Sequence, residues 1–295
     1  HINDEIHIQQ DINAFRSSLV YDCIERAMDL VEGGSVYSAD GGPTAGTISA
    51  GDSLAALDEI VFNQKLLTME QVLHAMSTNY EDMETVPAGP EIRAILLNKA
   101  PKFGNDDERA DKWVVELEDY IGSSYRYKYR SSKYGKGPVP CCYSYSQSPV
   151  TGNIAFGKSI GATPDGRKAG QPVNNGISPA NGSEKKGATA ACNSVMKLPS
   201  IWFQKGAIFN MRLSKGALDT DENKEKVIAM IKVLFENYGQ QIQFNVVDNK
   251  VFKKAMEHPD EYKDLMVRVS GYSALFTSLS PECQMDVINR AELEL

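Results

Sequence analysis

Leu265-Met266-Val267-Arg268-Val269-Ser270-Gly271-Tyr272-Ser273-Ala274-Leu275-Phe276 joins a β-branched run to one glycine and an apolar, aromatic exit. The run predicts a short buried strand over Val267–Ser270. Gly271 at its end predicts a tight reversal, because glycine accepts either sign of φ. Most glycines in such a place supply only a turn.

Upstream of this stretch, Gln243-Phe244-Asn245-Val246-Val247 reads as another strand and residues 249–257 as a short helix. A terminal helix is expected from Pro281. Asp219 or Thr220 caps a helix with Val227, Ile231, Leu234, Phe235 and Tyr238 on one face, and Gly239 ends it. Trp202 to Leu213 reads as a strand. From Gly157 to Gly187 almost everything is turn chemistry: Thr163-Pro164-Asp165-Gly166-Arg167, Asn174-Asn175-Gly176, Ser178-Pro179. A run this long without regular structure inside a compact domain is usually functional. Val139 to Phe156 is short, mixed and strand-like, and the change of character falls at Gly135-Lys136-Gly137-Pro138.

The first half is helical. Residues 10–32 predict one helix, with Ile12, Phe15, Leu19, Cys23 and Ile24 in phase and Gly33-Gly34 as its stop. A Gly-rich loop follows over Val36–Ala50. Asp52 or Ser53 is expected to cap a helix carrying Leu54, Leu57, Ile60 and Val61. Thr68 caps the next, with Val72, Leu73 and Met76 on its face. A third spans Pro90 to Asn98. Asn105-Asp106-Asp107 opens a fourth that buries Trp113, Val114, Leu117 and Ile121. Helices alternating with strands argue for an α/β architecture with mainly parallel pairing.

Composition narrows the function classes. The chain has 295 residues, 42% hydrophobic and 24% charged, with net charge −8. A large core is expected, and nucleic acid and anionic membrane are poor partners, since Lys185-Lys186 and Lys253-Lys254 are isolated pairs. No apolar run reaches the ~18 residues a membrane helix needs. The five cysteines, Cys23, Cys141, Cys142, Cys192 and Cys283, include no CxxC spacing, which argues against a disulfide framework or zinc site and for a reducing cytoplasm. His1, His7, His74 and His258 are scattered and read as ordinary surface residues, so no metal is expected. The polar opening His1–Gln10 holds no signal peptide. With no initiator Met and no cap before the first helix, the chain reads as the C-terminal piece of something longer.

Gly182-Ser183-Glu184-Lys185-Lys186-Gly187 has P-loop glycine spacing, but Ala188 stands where Lys is needed. Gly41, Gly42 and Gly46 lack dinucleotide-fold spacing. Asn181-Gly182-Ser183 is a glycosylation sequon without secretory context.

Arg268-Val269-Ser270-Gly271-Tyr272 resembles the glycyl-radical motif of the pyruvate formate-lyase-like glycyl radical enzymes. Further segments resemble the same family in the same order. These are Asp52-Ser53-Leu54-Ala55-Ala56 after its Gly-rich loop, and Pro101-Lys102-Phe103-Gly104-Asn105-Asp106-Asp107, shared by many non-formate members. Phe156-Gly157-Lys158 with Gly161 through Gly170 follows, and then Gln243-Phe244-Asn245-Val246 with Asp286-Val287-Ile288-Asn289-Arg290.

The resemblance implies the second half of a ten-stranded α/β barrel plus a C-terminal glycine radical domain. The barrel part would span 1–165 and the radical domain 166–295. Gly271 would be the catalytic residue, carrying a stable backbone radical. A Cα radical prefers a flat centre between an electron-donating nitrogen and an electron-withdrawing carbonyl, and any β-carbon would crowd that centre.

The resemblance implies no bound cofactor. The radical would be installed by a separate activating enzyme, a radical S-adenosylmethionine iron–sulfur protein. Other implied partners are the missing N-terminal half of the barrel, a small organic substrate and, at full length, further copies of the chain. The family cysteine that attacks substrate would lie upstream of His1, so this piece alone is expected to be inactive. Adjacent Cys141 and Cys142 match a later segment and read as packing residues. Gln147, Ser148 and Val150 are expected to face the barrel interior and shape the substrate cavity.

Activity would be radical C–C or C–X bond chemistry in an anaerobic cytoplasm, of lyase or formate acetyltransferase-like type, with Pro101–Asp107 leaning away from true pyruvate formate-lyase. The alternative is a stand-alone glycyl-radical partner subunit without its own active site.

Overall fold

The computed structural model describes residue 6 and residues 8–127 and 139–293, with the backbone alone at 37–40 and 139–143. Along these residues the chain forms α1 (Ala14–Ser18), α2 (Cys23–Arg26), β1 (Tyr37–Asp40) and α3 (Thr47–Ala56). It continues through α4 (Met69–Ser77), α5 (Gly89–Asn98), α6 (Glu108–Tyr127), β2 (Val139–Tyr143), α7 (Gly152–Ser159) and α8 (Gly187–Met196). Then come β3 (Asn210–Leu213), α9 (Asp221–Glu236), β4 (Gln243–Asn245), α10 (Asn249–Glu257), β5 (Met266–Arg268), β6 (Ser273–Leu275), α11 (Pro281–Ile288) and β7 (Glu292–Leu293). None of the described helices is long and apolar enough to cross a membrane.

Backbone packing divides the chain into two units. One comprises His1–Pro43, Asp119–Ser146 and Ile201–Lys205. In it β1 and β2 pair in parallel, with Ala39 opposite Cys142. The Trp202 indole donates to Asp119 at 2.8 Å, and the Tyr145 ring lies against Tyr125 and Phe203.

The other unit comprises Thr44–Glu118, Gln147–Ser200 and Gly206–Leu295. One of its cores gathers Ile60, Val72, Tyr80, Ile92 and Leu96. Thr68 and Gln71 form a capping box that starts α4, each side chain reaching the other's backbone N–H. A second core gathers Phe252, Val267, Val269, Phe276 and Val287 beneath the last hairpin. The sheet of this unit has the order β4-β3-β7, all parallel, with Met211 opposite Phe244 and Arg212 opposite both Asn245 and Glu292. All four residues of β3 are buried, as expected of a central parallel strand.

β5 and β6 form an antiparallel hairpin, with Arg268 opposite Ser273. The expected strand before Gly271 is therefore real but ends at Arg268. Val269–Tyr272 form its loop, closed by Val269 N–H donating to the Tyr272 carbonyl at 2.9 Å.

Several expectations are corrected. Residues 10–32 are not one helix: Asp22 (φ 81°) and Ala27 (φ 49°) turn left-handed. Asp29 accepts from the Asn13 N–H at 2.9 Å and the Ser17 hydroxyl at 2.8 Å, replacing helical continuity by local caps. The loop over Val36–Ala50 contains β1, and α3 begins at Thr47 behind Gly46 (φ 88°), so Asp52 and Ser53 lie inside it. Leu73, Phe235 and Tyr238 are exposed rather than packed.

The Trp202–Leu213 strand shortens to β3, and α8 was not anticipated: its Gly-Ala-Thr-Ala-Ala start hides apolar periodicity in small residues. Thr220, the cap ahead of α9, and the stop at Gly239, whose N–H donates to Leu234 at 2.8 Å, agree with expectation. The side chains of Cys141 and Cys142, and the change of character at 135–138, lie outside the described residues.

Candidate functional site

Gly271 sits at the tip of the β5–β6 hairpin with φ +78°, in the left-handed region that favours glycine. A β-carbon there would stand 3.2 Å from Ile208 Cδ1. The residue itself is exposed, while its neighbours Val269 and Ser270 are buried.

Both peptide groups flanking the Gly271 Cα are held. Its N–H donates to Gln243 Oε1 at 3.1 Å, and its carbonyl accepts from Arg268 Nη2 at 3.3 Å. Arg268 is fixed in turn by Nε on Gln243 Oε1 at 2.9 Å and Nη1 on the Ser273 hydroxyl at 3.1 Å. Asn245, two residues beyond Gln243 on β4, exchanges two bonds with the Arg268 backbone, at 2.7 and 2.8 Å.

Below the loop lies a buried polar network. The Ser270 hydroxyl donates to Asn175 Oδ1 at 2.8 Å, and Asn210 from β3 donates to the same oxygen at 3.3 Å. Asn175 donates to the Val150 carbonyl at 3.1 Å and to Asn153 at 3.3 Å, and Asn153 donates to Asp286 at 3.0 Å. Arg290 pairs with Asp286 at 3.2 Å and donates to the Val269 carbonyl at 2.7 Å. Each of these polar groups is buried with a partner, so the loop is tied to α7, β3 and α11 at once.

Sequence reasoning singled out Gly271 as the candidate but did not single out Asn153, Asn175 or Asn210, which surround its loop. The Asn174-Asn175-Gly176 turn carried the only hint, and it read as turn chemistry. The Asp286/Arg290 spacing at i,i+4 was visible but lacked a stated role.

The other candidate residues occupy different settings. Gln147 is fully buried; its amide donates to Thr47 at 2.6 Å and to Glu118 at 2.7 Å. Its main-chain carbonyl accepts at 3.0 Å from the N–H of Ile208, the residue whose side chain stands over Gly271. Ser148 is half-buried. Val150 is 45% exposed and left-handed (φ 58°), on the turn whose carbonyl Asn175 holds.

The long turn region is internally laced rather than loose. The Arg167 guanidinium donates to the carbonyls of Gly161, Lys168 and Gln171. It borders a cavity of about 490 Å³ lined by Ser49, Asp52, Arg93, Lys102, Arg167 and Lys185, among others.

Asp52 is fully buried there. One carboxylate oxygen accepts from Phe103 N–H at 2.7 Å; the other has no hydrogen-bond partner among the described residues. Burial pushes its pKa up to about 7, and burial pushes Glu184 up to about 7 as well. A folded carboxylic acid that keeps its proton above the ordinary ~4 loses stability as pH rises from about 4 to about 7, then no more. Asp52→Asn should flatten part of that fall. Unfolding free energies from urea titrations at pH 5 and pH 8 should lie closer together than in the wild type, by at most about 1.4 kcal/mol per pH unit between pH 5 and 7. Equal gaps in both proteins would refute this. Asp29, Asp106 and Asp107 have lowered pKa values and act below that window.

Among the described residues, no three His, Cys, Asp or Glu side chains gather to hold a metal ion. Residues 1–156 match the family described as pyruvate formate lyase-like, and residues 173–277 match the glycine radical family. The chain belongs to the pyruvate formate lyase-like glycyl radical enzymes. It is 38% identical to the probable dehydratase YbiW of Escherichia coli, over 94% of this chain and 34% of that protein. It is 35% identical to trans-4-hydroxy-L-proline dehydratase of Clostridioides difficile, over 94% of this chain and 33% of that protein.

The fold matches the glycerol-bound B12-independent glycerol dehydratase of Clostridium butyricum with TM-score 0.88 and 36% identity, covering 99% of this chain and 35% of that one. It matches the Clostridioides difficile hydroxyproline dehydratase with TM-score 0.90 and 31% identity, over 100% and 36%. The α/β architecture is thus that of the glycyl radical enzyme barrels, and the chain spans about a third of the length of these relatives.

Proposed function

We propose that this chain is the radical-storing portion of a glycyl radical enzyme that eliminates water or another small leaving group from an organic substrate in an anaerobic cytoplasm. Gly271 is its radical residue. The observation that carries this is a left-handed glycine at a hairpin tip, with both flanking peptide groups held and no β-carbon to hinder flattening of its Cα. The elimination chemistry rests on relatives named as dehydratases and sulfite-lyases. An activating enzyme of the radical S-adenosylmethionine, iron–sulfur class would take one hydrogen atom from Cα, leaving one unpaired electron there. The radical domain begins at 166, in the turn closed by Thr163 and Arg167.

The test is anaerobic activation of the full-length protein. A doublet should appear by electron paramagnetic resonance and collapse when glycine is deuterated at Cα. Oxygen should then cut the chain at Gly271, releasing a fragment that begins near Tyr272. A doublet insensitive to glycine deuteration, or cleavage elsewhere, would count against the assignment.

Gln147, Ser148 and Val150 belong in this proposal to the wall of the substrate cavity. The support is the main-chain carbonyl of Gln147 on the Ile208 N–H and that of Val150 on the Asn175 amide, both partners lying next to the radical loop, with Ser148 between them in sequence. Val150→Phe should change the ratio of kcat/KM between a small and a larger substrate while radical content stays normal. Identical ratios would remove Val150 from the cavity.

A further inference from the structure

The two bonds to the Gly271 peptide groups differ in sense as well as position. Gln243 Oε1 accepts from the N–H, which pushes electron density onto the nitrogen. Arg268 donates a charged N–H to the carbonyl oxygen, which draws density out through it. A radical on the Cα between them is stabilised by delocalisation from nitrogen, through Cα, into the carbonyl. Each bond therefore strengthens the half of that delocalisation it touches.

We propose that Arg268 and Gln243 are a push–pull pair that sets the spin distribution and lifetime of the Gly271 radical; this rests on the assignment of Gly271 as the radical residue. Neither group is free to leave. The Gln243 amide donates to Asn210 and accepts from Arg268, Gly271 and Gln241, which fixes its oxygen toward the loop. All three nitrogens of the Arg268 guanidinium are engaged, on Gln243, Ser273 and Gly271. Arg268 and Gly271 donate to the same Gln243 oxygen, so one acceptor positions both halves of the pair. Gln243 is buried, which shields the N–H half of the pair from water, while the Arg268 bond to the carbonyl lies at the surface of the loop. A purely structural clamp would need the same bonds but would not feel the electronic state of the glycine.

That difference is measurable. In full-length protein activated anaerobically, Arg268→Gln should widen the α-proton splitting of the doublet, because spin retreats to Cα. It should also shorten the lifetime of the signal toward a small thiol by roughly tenfold, about the effect of one charge-assisted hydrogen bond. Gln243→Glu keeps the acceptor and adds negative charge, giving up the bond donated to Asn210, so it should narrow the splitting and lengthen the lifetime. Opposite shifts from the two variants support the pair. Unchanged splitting and decay in both overturn it while leaving Gly271 as the radical site.

Absence of a glycine-dependent doublet in the wild type instead overturns the radical assignment itself. Should either variant fail to fold, wild-type protein made with 15N-arginine decides. Electron–nuclear double resonance should find a weak isotropic nitrogen coupling, which requires spin on the Gly271 carbonyl oxygen that Arg268 holds, and its absence would overturn the pull from Arg268.

Discussion

Gly271→Ala should abolish the radical completely and cost little stability. The left-handed φ of +78° costs alanine about 1–2 kcal/mol. Among the described residues, the new methyl would meet only Ile208 Cδ1, the far end of a flexible side chain, at 3.2 Å. The core below the hairpin, Phe252, Val267, Val269 and Phe276, does not involve this position. Radical formation has no such tolerance, because a β-carbon crowds the flattened Cα against the neighbouring carbonyls. Denaturant melts within about 2 kcal/mol of wild type, together with no glycine-derived doublet after activation, are the expected pair of results. A surviving doublet would place the radical elsewhere.

Arg290→Met should be the more damaging change to the fold. Arg290 and Asp286 are both buried and paired, and Arg290 also satisfies the carbonyls of Arg268 and Val269. Removing the cation leaves Asp286 supported only by Asn153 and Asn181. Breaking one side of a buried pair typically costs about 3–5 kcal/mol, because the orphaned charge remains. Removing both charges, Asp286→Asn with Arg290→Met, should recover part of that loss. The loop carrying Gly271 loses an anchor in either case, so radical yield should fall alongside stability. A single variant as stable as wild type, measured by urea unfolding, would show that the pair contributes nothing.

The elements that were legible beforehand are those whose determinants are local. Thr68, Thr220, Asp248 and Ser280 each bond an N–H two or three residues on, so α4, α9, α10 and α11 start where their sequences signal. The reversal at Gly271 belongs to the same class. The reading of residues 10–32 failed for the complementary reason: apolar spacing suggested continuity, while Asn13 and Asp29 close short turns by bonds that periodicity does not register. Asp52 looked like a helix cap because its residue type is right for one. It is instead an interior residue, holding the Phe103 N–H 51 positions away.

The chain's sequence by itself determined, through the resemblance of Arg268–Tyr272 to a family motif, which residue is the candidate radical site, and, through glycine's freedom in φ and helix capping, which helices and strands flank it, since those are properties of a few neighbouring residues. Only the tertiary structure decided what holds that glycine. Asn175 meets Ser270 across 95 positions, Asn153 meets Asp286 across 133, and Gln243 meets Gly271 across 28. Such contacts follow from strand order and burial, where an amide or guanidinium removed from water must find whichever partner the fold brings beside it.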